Sequence, residues 1–119
     1  MDIGGSESRL LLKLMSASTL RARVIANNLA NQNVPGFKRE VVRFEEFLAD
    51  DLASGKPDLD QIEPRIETDA QSPAGPDGNN VSLEVENTAL RENRLLYEIY
   101  ASILQTRTDM VRASIVEGR

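Results

Sequence analysis

The sequence predicts an all-α protein in which two long terminal helices form an antiparallel helical hairpin or coiled coil, joined by a short amphipathic segment and an irregular acidic linker. Three observations predict it. Apolar residues recur at three- and four-residue steps near both ends of the chain. Hydrophobic residues make up 40% of the side chains but aromatic ones only 4%, so the core has to be built from aliphatic groups, which suits packed helices better than sheets. Between the periodic ends lies a stretch of turn and linker composition with no apolar period. The chain has 119 residues, enough for one small domain.

Residues 1–34 make the first segment. Leu11, Leu14, Met15, Ser18, Ala22, Ile25 and Leu29 mark the buried face of a helix that begins near Ser6. Pro35 disfavours helical geometry at Val34, and Pro35-Gly36 has the order wanted at the centre of a type II turn, so the helix stops before it. Residues 35–52 hold that turn and a short amphipathic helix, in which Phe44, Phe47, Leu48 and Leu52 repeat the helical spacing. Alone, a helix that short would be marginal. Residues 53–80 form a flexible acidic linker containing Pro57, Pro64, Pro73 and Pro76 and the run Gly75-Pro76-Asp77-Gly78-Asn79-Asn80.

Residues 81–119 carry the strongest periodicity. Val85, Ala89, Glu92, Leu96, Ile99, Ile103, Thr106, Met110 and Ala113 alternate steps of four and three, a heptad seam. A second file, Leu90, Tyr97, Tyr100, Leu104 and Val111, widens the apolar face, so more than one neighbouring helix fits against it. Ser82 is placed to cap a helix over 83–116, with Glu84 and Glu86 in the first turn where the helix dipole favours negative charge. Such a helix is roughly 50 Å long and outruns its partner. A lone hairpin would therefore leave apolar surface in water, which predicts assembly.

Composition excludes several function classes. There is no Cys, His or Trp, which removes disulfides, thiol and imidazole chemistry and the usual zinc ligands. A formal net charge of −5 is the wrong sign for a chain that coats phosphate backbones, so no nucleic acid is expected as a partner. The start, Met1-Asp2-Ile3-Gly4-Gly5, lacks the pattern of a cleaved secretory signal, and the Leu10-Leu11-Leu12 run is broken by Lys13, far short of a membrane span. Glu45-Glu46 and Asp50-Asp51 read as a solvated acidic face rather than a glycosidase pair. Asp58, Asp60, Glu63, Glu67 and Asp69 lack the glycine and ligand order of a calcium loop, and Ser54-Gly55-Lys56-Pro57 lacks the pattern of a phosphate loop. No enzyme activity, cofactor, metal or small-molecule substrate is expected.

Charge is unevenly spread: residues 1–43 carry +4, 44–80 carry −8 and 81–119 carry −1. Arg21, Arg23, Lys38, Arg39 and Arg43 form a basic zone suited to the acidic linker of a neighbouring subunit or to acidic lipid. Stacked subunits would then register electrostatically.

The junction Ile25-Ala26-Asn27-Asn28-Leu29-Ala30-Asn31-Gln32-Asn33-Val34-Pro35-Gly36-Phe37-Lys38 resembles the signature of the flagellar rod and hook protein family. Asn27, Asn28 and Asn31 can bond freed backbone carbonyls at a helix end, and Leu29 and Phe37 bracket the Pro35-Gly36 turn ahead of Lys38. Gly78-Asn79-Asn80-Val81-Ser82-Leu83, followed by Glu86, Leu90, Asn93, Leu96 and Tyr97, is similar to the family's entry into a long carboxy-terminal helix. With no room for a large inserted domain between the helices, the likeness is to the small proximal-rod members.

The resemblance implies a structural subunit of the proximal rod of the flagellar basal body. It would be exported from the cytoplasm by the flagellar type III apparatus without a cleaved signal, polymerise in the periplasm through its terminal helices, link the membrane ring to the distal rod and transmit torque. The implied partners are other proximal-rod subunits, the membrane-embedded ring, its small adaptor protein and further copies of the chain. The expected assembly interface is Leu11, Leu14, Ser18, Ala22, Ile25 and Leu29 on the first helix, with Val85, Ala89, Leu96, Ile99, Ile103 and Met110 on the last. The alternative is a soluble coiled-coil adaptor or export chaperone of a secretion system, using the same helical faces.

Overall fold

The structure, a computed structural model, describes residues 5–118. The outermost positions of the two terminal segments, residues 1–4 and 119, lie outside the described residues. Helix α1 runs Gly5–Ala30, with Glu7 in its first turn where the dipole favours a carboxylate. It stops four residues ahead of Val34. The Asn31 N–H donates to both the Asn27 and Asn28 carbonyls, each at 3.1 Å, and Gln32 N–H reaches Leu29 O, so the last turn tightens into reverse turns over 31–36. The final turn closes with Phe37 N–H on Val34 O at 3.2 Å, and Gly36 takes the left-handed φ of 77° that a type II turn requires.

The middle of the chain corrects the all-α expectation. Strand β1, Glu40–Arg43, pairs antiparallel with β2, Arg65–Thr68, in the register Glu40↔Thr68 to Arg43↔Arg65. Between them come helix α2, Glu45–Ala53, and a single 3₁₀ turn, Leu59–Gln61. The molecule is thus mostly helical with a small two-stranded sheet, and the linker expected to be irregular contributes one of the strands.

A two-stranded ribbon this short is unstable by itself. It persists because α1 supplies what a third strand would. Asn28 accepts from Glu40 N–H at 2.9 Å and donates to Glu40 O at 2.8 Å, and Arg21 donates to Val42 O at 3.1 Å. Helix side chains thereby take up the Glu40 N–H and C=O and the Val42 C=O on the edge of β1 that faces α1.

Ala17, Phe44, Leu48 and Ile62 form the hydrophobic core, with Leu10, Leu14, Phe47 and Leu59 against them. It lies between α1 and the middle segment rather than between the two terminal helices. Leu14 accordingly faces α2 and the acidic segment, while the other apolar face of α1 meets α3.

Helix α3 spans Leu83–Glu117 and is capped by the Ser82 hydroxyl, which accepts from Val85 N–H. Contacts Asn28–Glu86, Ser18–Asn93 and Glu7–Arg107 descend along one helix as they climb the other, so α1 and α3 are antiparallel. At 35 residues against 26, α3 overruns the start of α1, and the molecule is 68 Å long. Among the described residues no helix is long and apolar enough to cross a membrane.

Candidate functional site

The two sequence motifs, about 45 positions apart, interlock in space. Gly36 N–H donates to Asp77 O at 2.9 Å, and Gly78, at φ 84°, presses so closely that a Cβ on it would stand 3.4 Å from Gly36 Cα. Asn79 Nδ2 donates to Asn31 O at 2.9 Å and Val34 O at 2.8 Å, satisfying carbonyls left over at the end of α1, while its Oδ1 accepts from Val81 N–H. Asn31 Nδ2 caps Asn27 O at 2.7 Å, and Lys38 Nζ donates to Gly78 O. The asparagines thus act as helix-end caps, but half of the capping comes from the second motif, a long-range partnership that sequence spacing does not reveal.

Behind this turn lies a buried polar cluster. Asn28 and Glu86 are fully buried, and Asn28 Nδ2 donates to Glu86 Oε2 at 3.1 Å. Arg39 Nε donates to Glu86 Oε1 at 2.6 Å and its Nη1 to Asp69 Oδ2 at 2.8 Å. Asn80 ties the same strands: its Oδ1 accepts from Arg39 N–H at 2.6 Å and its Nδ2 donates to Asp69 O at 2.6 Å. Burial opposes the Arg39 charge, yet the bonds from Glu86 and Asp69 more than offset it and hold the guanidinium pKa above its ordinary value. The Ser72 hydroxyl, Arg39 and the backbone N–H groups of Ser72 and Gln71 together hold the Asp69 carboxyl well below the usual carboxylate range. This arrangement clamps the end of α1, both strands and the start of α3 into one unit.

Of the motif residues expected from sequence, Asn28, Asn31, Gly36 and Lys38 enter the clamp directly, and Phe37 accepts from Asn80 N–H through its carbonyl at 3.3 Å. Asn27 acts through its backbone carbonyl, Leu29 is half-buried and Pro35 is exposed in the turn. Glu86, Asp69, Arg39 and Asn80 are the members whose clamp role the sequence reading missed. The signal for Glu86 was present: Glu86, Asn93, Tyr100 and Arg107 are spaced by sevens, one helix file with polar groups on it.

That file is the one α3 turns toward α1. Asn93 is buried and donates from Nδ2 to Ser18 O at 2.8 Å, and Arg107 pairs with Glu7. Tyr100 in the file, and Leu90 and Leu104 beside it, are half-buried. The heptad seam expected to pair the helices lies one residue, roughly 100°, round the cylinder. There Val85 is 50% exposed, Leu96 38%, Ile99 43%, Ile103 44% and Met110 67%. Ala89 is half-buried between the two files. On α1, Leu11, Ser18 and Ile25 are buried within the chain, and Leu14, Ala22 and Leu29 are partly covered.

Four of the five basic-zone residues, Arg21, Lys38, Arg39 and Arg43, are met inside the chain, and Lys13 and Arg9 outside that zone are paired as well. Arg21 grips Glu45 at 2.7 Å, Lys13 reaches Glu63 at 3.0 Å, Arg43 binds Glu67 at 2.6 Å and Glu46 at 3.1 Å, and Arg9 pairs with Asp60. The acidic partner that sequence reasoning sought on a neighbouring subunit is largely this chain's own middle segment. Glu45 and Glu46, the carboxylate pair considered for glycoside chemistry, are engaged the same way.

The chain is an elongated helical hairpin, clamped at its turn and bare along one apolar file. A family model described as flagella basal body rod protein matches residues 15–38, from mid-α1 through the turn to Lys38. The chain is 27% identical over 110 aligned residues to flagellar basal body rod protein FlgB of Borreliella burgdorferi, and 29% identical to the protein of that name from Borrelia hermsii. Each alignment covers 76% of this chain and 82% of the relative. The chain is thus similar to flagellar basal-body rod proteins, through the junction the family model matches and across most of its length in the two relatives. Within that family its resemblance is to rod protein B.

Proposed function

We propose that the chain is a subunit of the proximal rod, polymerising with other rod subunits through α1 and α3 to link the membrane-embedded ring to the distal rod and carry torque between them. The observation that carries this reading is the uncovered file Leu96, Ile99, Ile103 and Met110, continued by the overhanging Val111, Ile115 and Val116 at the end of α3. Apolar surface in a continuous stripe is costly in water, and a stripe along a helix is covered most completely by other helices. Val85 and Ala89 carry that surface toward the start of α3, and the partly covered α1 residues Ala22 and Leu29 take part in the same interface, while Leu14 is engaged in the core under α2. Partners at the two ends of the stack are the ring with its small adaptor protein and the next rod subunits.

The clamp supports the mechanical part of the reading. A rod must twist as a body, and cross-links from α1 to both strands and to α3 make each subunit resist shear at its turn. Delivery would be through the flagellar type III apparatus into the periplasm.

An epitope inserted at Gly55, an exposed turn glycine with open space around it, provides the test. In motile cells the tagged chain is expected in detergent-resistant basal bodies at several copies per particle. Recovery solely in the dissociable cytoplasmic fraction would replace the rod reading with the adaptor or chaperone alternative.

A further inference from the structure

Helix α3 presents a choice of faces to α1, and it buries the more polar one. The inward file carries Glu86, Asn93 and Arg107, whereas the adjacent file of Leu96, Ile99, Ile103 and Met110 stays in solvent. Hydrophobic burial alone favours the opposite rotation. Two of the inward groups are not even fully satisfied, since Asn93 Oδ1 and Arg107 Nε are buried without a hydrogen-bond partner. Each inward polar group nonetheless has a specific partner across the seam: Glu86 has Asn28 on α1 and Arg39 beyond its turn, Asn93 has Ser18 O, and Arg107 has Glu7. These contacts are spread from the first turn of α3 to Arg107, ten residues short of its end, and all lie at one heptad position.

We propose that Glu86, Asn93 and Arg107 form a rotational lock that fixes which face of α3 meets α1 and keeps the apolar file directed outward. The device works by difference. Rotating α3 by one residue would bring Leu96, Ile99 and Ile103 onto α1 but would take Glu86 off Asn28 and Arg39 and Asn93 off Ser18 O, and leaving a buried carboxamide and guanidinium short of their carboxylate is costlier than the apolar burial gained. Asn93 is the pivotal member, because Glu86 is also held by the clamp and Arg107 lies where α1 begins. The lock concerns the fold of the single chain. Its significance for assembly rests on the rod reading above, but its test does not.

The chain has no cysteine, so single thiols report rotation without background. Ile103→Cys places a thiol on the outward file and Leu104→Cys one on the inward file. In dilute protein the Ile103→Cys thiol is expected to react with a maleimide roughly tenfold faster than the Leu104→Cys thiol. Adding Asn93→Ala and Arg107→Ala is expected to bring the two rates together or reverse them while helicity by circular dichroism is kept. If the double change lowers helicity, Asn93→Ala alone supplies the reading. An unchanged ratio of rates with helicity intact overturns the lock. Failure of the rod reading would show elsewhere, as outward-file variants that still enter basal bodies.

Discussion

Asn28 illustrates how much one short side chain can organise. Its carboxamide meets the N–H and C=O of Glu40 in the manner of a neighbouring strand and also donates to the buried Glu86 carboxylate. Asn28→Ala removes three bonds at a site closed to water, so urea unfolding should show a loss of about 2–4 kcal/mol. A loss no larger than that of an exposed Asn27→Ala control would mean the strand edge is not held this way. Asp69 carries the pH dependence. Its folded-state pKa is depressed by Ser72, Arg39 and two backbone N–H groups, so its contribution to stability is present above the ordinary carboxylate pKa of about 3.9 and is lost as the pH falls below that toward the folded value. Denaturation midpoints measured from pH 6 downward should fall through this acidic window, and Asp69→Asn should flatten the fall.

At the scale of elements, the middle of the chain stabilises what the termini display. Phe44 is fully buried between α1 and α2, and Phe44→Ala should cost about 3–5 kcal/mol and release α2 from α1, measurable as a lowered unfolding midpoint and early proteolysis within 45–64. The helices, the Ser82 cap and the Pro35-Gly36 turn were legible in the sequence because each depends on neighbours a few residues away. The strands were not, since four residues give too little alternation to register and their stability comes from Asn28 and Arg21 on α1. The ion pairs between α1 and the acidic segment were visible as complementary charge but not as partners within one chain. The heptad period of α3 was legible while its facing was not: hydrophobicity pointed to the Leu96–Ile103 file, and the inward choice follows from polar partners brought by distant residues. Buried polar groups in the helix seam were the missing clue, because their long-range partners have no signature in local spacing.

The molecule as a whole is a 68 Å hairpin stiffened at one end and left apolar along one side and at the other tip. Its core holds it folded without the outward file of α3, so under the proposed function fold stability and assembly fall to different residues. That separation is the central claim, and the outward file offers a direct measurement. Ile103→Asp should leave the isolated chain within about 1 kcal/mol of the parent in urea unfolding, because the side chain is already 44% exposed. The same variant, produced in the native host, should be absent from basal bodies and leave the cells non-motile, since a carboxylate buried at a subunit interface without a partner costs several kcal/mol. Normal rods built from the Ile103→Asp chain, or a large loss of stability in the isolated protein, would contradict the account.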